Sequence, residues 1–205
     1  MKKLLPIIFL FFSLNFWAQE SWKPNPEVQK KTFDKALNLL EKLDNKETMR
    51  HFYYAYKMGI DTELGKLALT KFDSILAIEK TKLLKGIQGT WILKEVGSNW
   101  GFDKINSDSE EKKLVINQDS ISFYENGKLI KKEEIKFTET TYFGVPSYTT
   151  FDYSDGQIWN YELKDRKHNE NGNVLHLKNE GYFRENGIRT EISCGNTEMY
   201  YERIK

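Results

Sequence analysis

Hydrophobic residues recur with a helical period in the first part of this chain and with a strand period in the rest. Within residues 25–85, Phe33, Leu37 and Leu40 follow one another at intervals of three or four, which places them on one face of a helix. Beyond residue 86, apolar and polar residues alternate, as they do in strands with one covered and one solvated face. The pattern predicts a helical segment followed by a β-domain.

Three short amphipathic helices are predicted in the helical segment, which we place at residues 20–85. Asp44 and Glu47 are expected to cap the second helix, each bonding to the backbone of the other. Gly59 is expected to end that helix in the left-handed conformation that glycine accepts, and Asp61 to begin the third. Helices this short are marginal alone, so we expect them to pack on one another and on the following domain.

The alternating region, residues 86–205, predicts about eight to ten strands separated by turns. Asn-Gly and Asp-Gly pairs favour tight hairpin turns, and several lie between the alternating runs. We expect an antiparallel up-and-down β-barrel, because closure removes exposed sheet edges. A long polar loop is expected from residue 99 to residue 111. The predicted turn pairs are Asn126-Gly127, Asp155-Gly156, Asn171-Gly172 and Asn186-Gly187.

The N-terminus has the pattern of a secretory signal peptide, which we place at residues 1–19. Lys2 and Lys3 precede an apolar run that ends at Trp17, and Ala18 supplies a small residue near the presumed cleavage point. The run is shorter than the roughly 20 apolar residues that span a bilayer, although an uncleaved anchor helix is the alternative. We expect export to the periplasm, cell surface or exterior, with no stable membrane insertion after cleavage.

Charge and cysteine content narrow the range of partners. The formal net charge is +1, and removing Lys2 and Lys3 with the leader makes it about −1. A chain this balanced has no electrostatic attraction for nucleic acid. The single cysteine, Cys194, is expected to be either a buried apolar residue or an intermolecular bridge, and nearby Ile192 and Met199 favour burial.

One motif at the start of the alternating region carries a family resemblance. Gly89-Thr90-Trp91 follows the predicted helices, and with the closing run to Arg203 it resembles the lipocalin-like domains of exported bacterial proteins over roughly residues 84–205. The resemblance implies that Trp91 fills the closed end of the barrel and that Gly89 lets the chain turn beneath it. It also implies that Arg203 lies across the indole in a cation–π stack.

Catalytic and metal-binding patterns are missing from the sequence. His51, His168 and His176 are scattered, with no carboxylate or cysteine at ligand spacing. His176 alternates with Leu175 and Leu177, so its side chain is expected to face water. No nucleophile elbow, phosphate loop or zinc-protease motif occurs. We therefore expect a non-enzyme without a metal or cofactor.

Glu95 is the one residue that breaks the alternation of the first strand, because it shares a face with Trp91 and Leu93. Three interpretations are open. Glu95 lies at a solvated rim, pairs with a basic group inside the barrel, or marks a bulge that reverses the register.

Aromatic residues are the remaining functional candidates, either as the wall of a pocket or as the packing of a filled barrel. The pocket interpretation requires a cavity of at least roughly 300 Å³. Trp100, in the predicted polar loop, is expected to act as a lid or as an anchor for a partner. The candidate ligand-binding residues are Trp100, Phe102, Tyr148, Phe151, Tyr153 and Trp159, with Tyr142 and Phe143 in the same region.

Two functions are compatible with these features. The first is an exported lipocalin-like binding protein that holds a small apolar ligand in its barrel. The second is a non-enzymatic interaction or accessory protein of the bacterial envelope, with a filled barrel and a helical docking surface for a protein partner. The second rests on residues 52–56, which carry more aromatic positions than one buried helix face can cover.

Overall fold

The structure is a computed structural model, and it describes residues 25–105, 111–139, 144–165 and 173–204. The predicted signal peptide, His168, Tyr142, Phe143 and the Asn171-Gly172 turn lie outside these ranges. Two compact units divide the chain, one up to Thr70 and the other from Lys71 onward. The prediction of a mainly β fold with N-terminal helices is confirmed: three helices precede a curled antiparallel up-and-down sheet that forms a half-barrel.

The helices are α1 (Pro26–Glu41), α2 (Asn45–Met58) and α3 (Glu63–Ile87). Asp44 caps α2 as predicted, since its carboxylate accepts from the Glu47 amide at 3.2 Å. The reciprocal half of that prediction is wrong, because the Asp44 amide donates to the carbonyl of Leu39. Within the described ranges, no helix has the length and apolar character that crossing a membrane requires.

Gly59 ends α2 as expected, but the left-handed conformation predicted for it is wrong. Its φ is −161°, an extended value open to any residue. Glycine is needed for space, because a Cβ would lie 2.6 Å from Nε2 of buried Gln29. That amide donates to the Ala55 carbonyl and to Thr62 Oγ1, each at 2.9 Å, so it joins the ends of the helices in this unit.

The strands are β1 (Gly89–Ser98), β2 (Gly101–Lys104), β3 (Lys112–Ile116), β4 (Ser120–Glu125), β5 (Lys128–Glu134), β6 (Thr150–Asp152), β7 (Gln157–Asp165), β8 (Asn173–Phe183), β9 (Arg189–Glu191) and β10 (Glu198–Arg203). These ten strands of the described ranges form one sheet, with the order β5-β4-β3-β1-β10-β8-β7-β6, while β2 pairs with β1 and β9 with β8. Asn126 and Gly127 both have positive φ, as the predicted turn between β4 and β5 requires. The predicted loop after residue 99 instead contains a strand, β2.

The ends of the sheet order, β5 and β6, face each other along a seam. Just after β5, Phe137 forms an isolated antiparallel bridge with Phe151 of β6. The Thr138 amide donates to the Thr150 carbonyl at 2.8 Å, and the Asp152 amide to the Lys136 carbonyl at 2.9 Å. Backbone pairing therefore joins the two edges at one end of the seam, while side chains span the other end.

Candidate functional site

Trp91 occupies the closed end of the half-barrel and is 1% exposed. Its indole N–H donates to the Ile87 carbonyl at 2.7 Å, which joins β1 to the last turn of α3. The Arg203 guanidinium lies over the ring, 4.5 Å from its centroid, and also donates to the Gly86 carbonyl. Gly89 starts β1 with φ +129°, a value that side chains rarely allow. The indole of Trp91, the guanidinium stacked on it and their hydrogen bonds to backbone carbonyls therefore fill this end of the half-barrel.

A bulge in β1 resolves the position of Glu95. Leu93 lies opposite Tyr201, yet Glu95 lies opposite Tyr200, so the register shifts by one residue between them. The side chain of Glu95 consequently lies on the outer face with Tyr200, while Val96 turns inward and packs on the core. Of the three interpretations, the bulge is the one observed.

The open end of the sheet contains a cavity of about 120 Å³. Tyr153 and Trp159, both predicted ligand-binding residues, line it, and their rings are stacked with centroids 6.2 Å apart. Phe123 packs edge-on against Tyr153 at 5.9 Å. The volume is well below the roughly 300 Å³ that the pocket interpretation required, since the core fills most of the interior. The remaining lining residues are Lys131, Gln157, Leu177 and Met199.

Gln157 is an uncharged polar residue of the cavity lining, and its side-chain orientation is fixed by hydrogen bonds. Its side-chain oxygen accepts from the Trp159 indole N–H at 2.9 Å and from the Asn179 amide at 3.0 Å. Gln157 was not among the residues predicted from the sequence to bind a ligand. Its spacing of two residues from Trp159 was the available signal, because that spacing places both side chains on one face of a strand.

Lys131 lies at the rim of the cavity inside a cluster of charges that spans the seam. Its ammonium pairs with Glu133 at 2.8 Å and Asp155 at 2.6 Å, and lies 4.7 Å from the Tyr153 ring centroid. Glu133, whose side chain is 2% exposed, also accepts from the amide of Ser154 at 2.8 Å. We call Lys131, Glu133, Ser154 and Asp155 the seam clasp.

The charges of the seam clasp stabilise one another. Burial alone would raise the pKa of Glu133 and of Asp155, but hydrogen bonds from Lys131 and from backbone amides outweigh it and lower both pKa values. Burial alone would lower the pKa of Lys131, yet its bonds to the two carboxylates raise it. All three groups are therefore charged at neutral pH, with a net charge of −1 for the clasp.

Beneath the cavity, Tyr153 and Tyr161 join their hydroxyl groups by a short hydrogen bond. Burial raises the pKa of both phenols well above the ordinary value, and burial also raises that of Tyr201. The three phenols stay neutral at physiological pH. They supply hydrogen bonds within the core and carry no charge that could act as a base.

The other candidate ligand-binding residues lie away from the cavity lining. Phe151 is fully buried between Phe137 and Tyr161. Trp100 is 79% exposed in the turn between β1 and β2, and Phe102 packs edge-on against Tyr200 on the outer face at 5.3 Å. Tyr148 is partly buried just before β6. Of the six candidates, the fold brings only Tyr153 and Trp159 together at the cavity.

His176 was expected to face water, and that expectation is wrong. It does point to the outer face, but it is 3% exposed and stacks on Tyr200 with ring centroids 4.5 Å apart. Its Nε2 lies 2.8 Å from a carboxylate oxygen of Glu198, and its Nδ1 has no partner in the described part of the chain. Burial lowers the pKa of His176, against the opposing effect of Glu198.

Two further expectations concern reactive groups. Cys194 is exposed, so its predicted burial is wrong; it lies in the loop before β10, away from the core. Among the residues that the structure describes, no group of three or more His, Cys, Asp or Glu side chains is arranged to hold a metal ion.

A second, outer groove of about 550 Å³ follows the seam. Charged side chains dominate its lining, among them Lys132, Glu134 and Lys136, with Tyr153 and Phe183 as its aromatic members. Tyr153 lines both the inner cavity and the outer groove.

The chain matches no protein-family model, no curated protein and no solved structure. Functional inference therefore rests on the geometry of the site.

Proposed function

We propose that this chain is an exported lipocalin-like binding protein that holds a small apolar ligand at the open end of its half-barrel. The observation that carries the proposal is the apolar cavity between Phe123, Tyr153, Trp159, Leu177 and Met199. Concave sites with mostly apolar walls and a few polar groups are the usual form of ligand sites. Export is proposed from the apolar leader after Lys2 and Lys3.

The cavity is smaller than the roughly 300 Å³ that the pocket interpretation required, which is the size of a site for a drug-sized ligand, so the proposal is restricted to much smaller ligands. An apolar cavity of about 150 Å³ accommodates benzene or xenon. The present cavity, about 120 Å³, is slightly smaller. We therefore propose a compact ligand about the size of a single small ring, with weak affinity because few atoms make contact. A fatty acid or a multi-ring ligand does not fit in this space.

Saturation-transfer NMR with benzene tests the proposal. We expect saturable binding to the wild-type protein and to Trp100→Ala, because Trp100 is exposed and does not line the cavity. Leu177→Phe places a larger side chain in the cavity and is expected to abolish binding. Circular dichroism would establish that each variant is folded. Benzene binding to folded Leu177→Phe with wild-type affinity would refute this site.

A second candidate function is an envelope interaction protein that docks a partner through α2. Tyr53, Tyr54 and Tyr56 are only partly buried, and the ammonium of Lys57 lies 5.7 and 5.9 Å from the Tyr53 and Tyr56 rings. Tyrosine is enriched in protein interfaces, where its ring and its hydroxyl group both find partners.

Cross-linking in the source envelope, with Tyr54→Ala and Tyr56→Ala compared against Lys66→Ala, tests this second candidate. Lys66 is an exposed residue of α3. A partner captured equally by the wild type, both tyrosine variants and the lysine variant would exclude the tyrosine surface.

A further inference from the structure

We propose that the cavity selects neutral ligands that carry a hydrogen-bond acceptor and discriminates against carboxylates of the same shape. This inference rests on the proposed ligand-binding function and specifies its ligand class. Two features carry it: the side-chain NH₂ donor of Gln157, which lines the cavity, and the pairing of Lys131, the cation of the lining, with two carboxylates of the seam clasp.

The orientation of the Gln157 amide follows from the chemistry of its partners. The Trp159 indole nitrogen can only donate, so the Gln157 atom 2.9 Å from it must be the oxygen. The contacts of Asn179 support the same assignment of the Gln157 oxygen. The side-chain oxygen of Asn179 accepts from the Gly181 amide at 2.9 Å, so its NH₂ group is the group that donates to Gln157. Two independent donors therefore fix the same assignment.

This orientation leaves the Gln157 NH₂ group available to a ligand. In the described ranges, Gln157 Nε2 has no hydrogen-bond acceptor, while Gln157 lines the cavity. The Tyr153 hydroxyl, the other uncharged polar group of the lining, is already bonded to Tyr161. A ligand carbonyl or ether oxygen placed at Gln157 would satisfy the donor.

The seam clasp makes the rim unfavourable for an anion. Lys131 is the cation at the cavity, but Glu133 and Asp155 already neutralise it at 2.8 and 2.6 Å and add one further negative charge. A carboxylate entering here would lose its hydration without gaining an unpaired cation, because Lys131 is already bonded to two carboxylates. A neutral acceptor of the same shape carries no such penalty.

Three ligands with the same branched arrangement of six heavy atoms separate the effect of shape from that of charge. They are 2-pentanone, with a neutral carbonyl group, butanoate, with a carboxylate, and 2-methylpentane, with no polar atom. We expect 2-pentanone to bind at least about tenfold more tightly than butanoate at pH 7.5, a difference of about 1.4 kcal/mol. Affinities would be measured by NMR titration of the wild-type protein. Butanoate binding as tightly as 2-pentanone would overturn the inference, yet leave the proposed function standing. Failure of all three ligands and of benzene would overturn the proposed function itself.

Gln157→Glu keeps an acceptor for Trp159 and Asn179 and replaces the NH₂ donor with a carboxylate oxygen. It also adds one negative charge, and 2-methylpentane, which makes no hydrogen bond, is the control for that charge. We expect it to weaken 2-pentanone binding about two- to tenfold, the usual contribution of one hydrogen bond, and to leave 2-methylpentane binding unchanged. Unchanged 2-pentanone affinity in a folded Gln157→Glu protein would contradict the role of Gln157. An equal loss for both ligands would indicate a change in cavity shape and would also contradict it.

Discussion

The two ends of the half-barrel use the same kinds of aromatic side chain with opposite results. At the closed end, Trp91 is enclosed by Arg203 and its N–H is satisfied by the Ile87 carbonyl. At the open end, Tyr153 and Trp159 stack but leave a cavity of about 120 Å³ beside them. A large ring thus stabilises the fold where its whole surface finds partners, and forms a wall where one side is left open.

The ends also differ in how they use charge. The Arg203 guanidinium stacks on an indole and bonds to a backbone carbonyl, without a carboxylate among the contacts described above. The seam clasp instead gathers one cation and two carboxylates between β5 and the turn that follows β6, and β5 and β6 are not neighbours in the sheet order. Ionic contacts therefore span this part of the seam in place of strand hydrogen bonds, and we expect the open end to be the more sensitive of the two to single substitutions of charge.

The largest expected effect is at the closed end. Trp91→Ala removes a buried indole and its hydrogen bond, so we expect the free energy of unfolding to fall by about 3–5 kcal/mol. Trp100→Ala is the matched control at an exposed position and should change it by less than about 0.5 kcal/mol. Urea unfolding followed by circular dichroism would measure both. Equal losses in the two variants would mean that Trp91 does not anchor the fold.

The second-largest effect on the free energy of unfolding is expected from a substitution in the seam clasp. Lys131→Met leaves the nearly inaccessible carboxylate of Glu133 without its cation, although Ser154 still donates to it. We expect a loss of about 1–2 kcal/mol in the free energy of unfolding at neutral pH.

Lys132→Met removes the same charge at an adjacent exposed position and serves as the control for Lys131→Met, with an expected change of less than about 0.5 kcal/mol. The pKa values of Glu133 and Asp155 are lowered in the fold, so their contribution is present above the ordinary carboxyl range and is lost as pH falls through the lowered values. The gap between the two variants should therefore close in strong acid. A gap that persists there would contradict an ionic clasp.

The smallest expected effect is a pH dependence at His176. Because burial lowers its pKa, the unfolded chain takes up a proton first as pH falls through about 6.5, and the folded state loses stability. The charged groups that act on it are Glu198, Glu162 and Lys164. We expect His176→Gln, which cannot titrate, to reduce the fall in melting temperature between about pH 7.5 and 5.5.

His51→Gln is the control for the histidine prediction, since it leaves His176 in place and should keep the fall in melting temperature. Differential scanning fluorimetry at the two pH values would measure the melting temperatures of the wild type and both variants. If His176→Gln retained the full pH dependence, another group would have to be responsible.

Local sequence patterns predicted the closed end well. The spacing of Gly89 and Trp91 after a helix places the indole at the start of β1, and both residues act within a few positions of each other. The Asn126-Gly127 turn and the Asp44 cap were predictable for the same reason, because turns and caps depend on neighbouring residues.

The open end was harder to predict because its contacts join distant parts of the chain. Lys131 and Asp155 meet only once the sheet curls and brings β5 beside the turn between β6 and β7. Alternation gave the correct side of the sheet for His176 but not its burial, which depends on Tyr200 and Glu198 of another strand. The bulge that turns Glu95 outward was one of three possibilities that residue type alone could not separate.

Methyl NMR of methionine tests the central claim, that the open end holds a small ligand, most directly. Met199 lines the cavity, whereas Met49 and Met58 belong to α2 and serve as internal references. With ¹³C-methyl labelling and benzene as the probe, we predict a saturable ring-current shift of the Met199 methyl signal and no shift of the other two. A Met199 signal that stays in place while benzene is raised to its solubility limit would contradict the account.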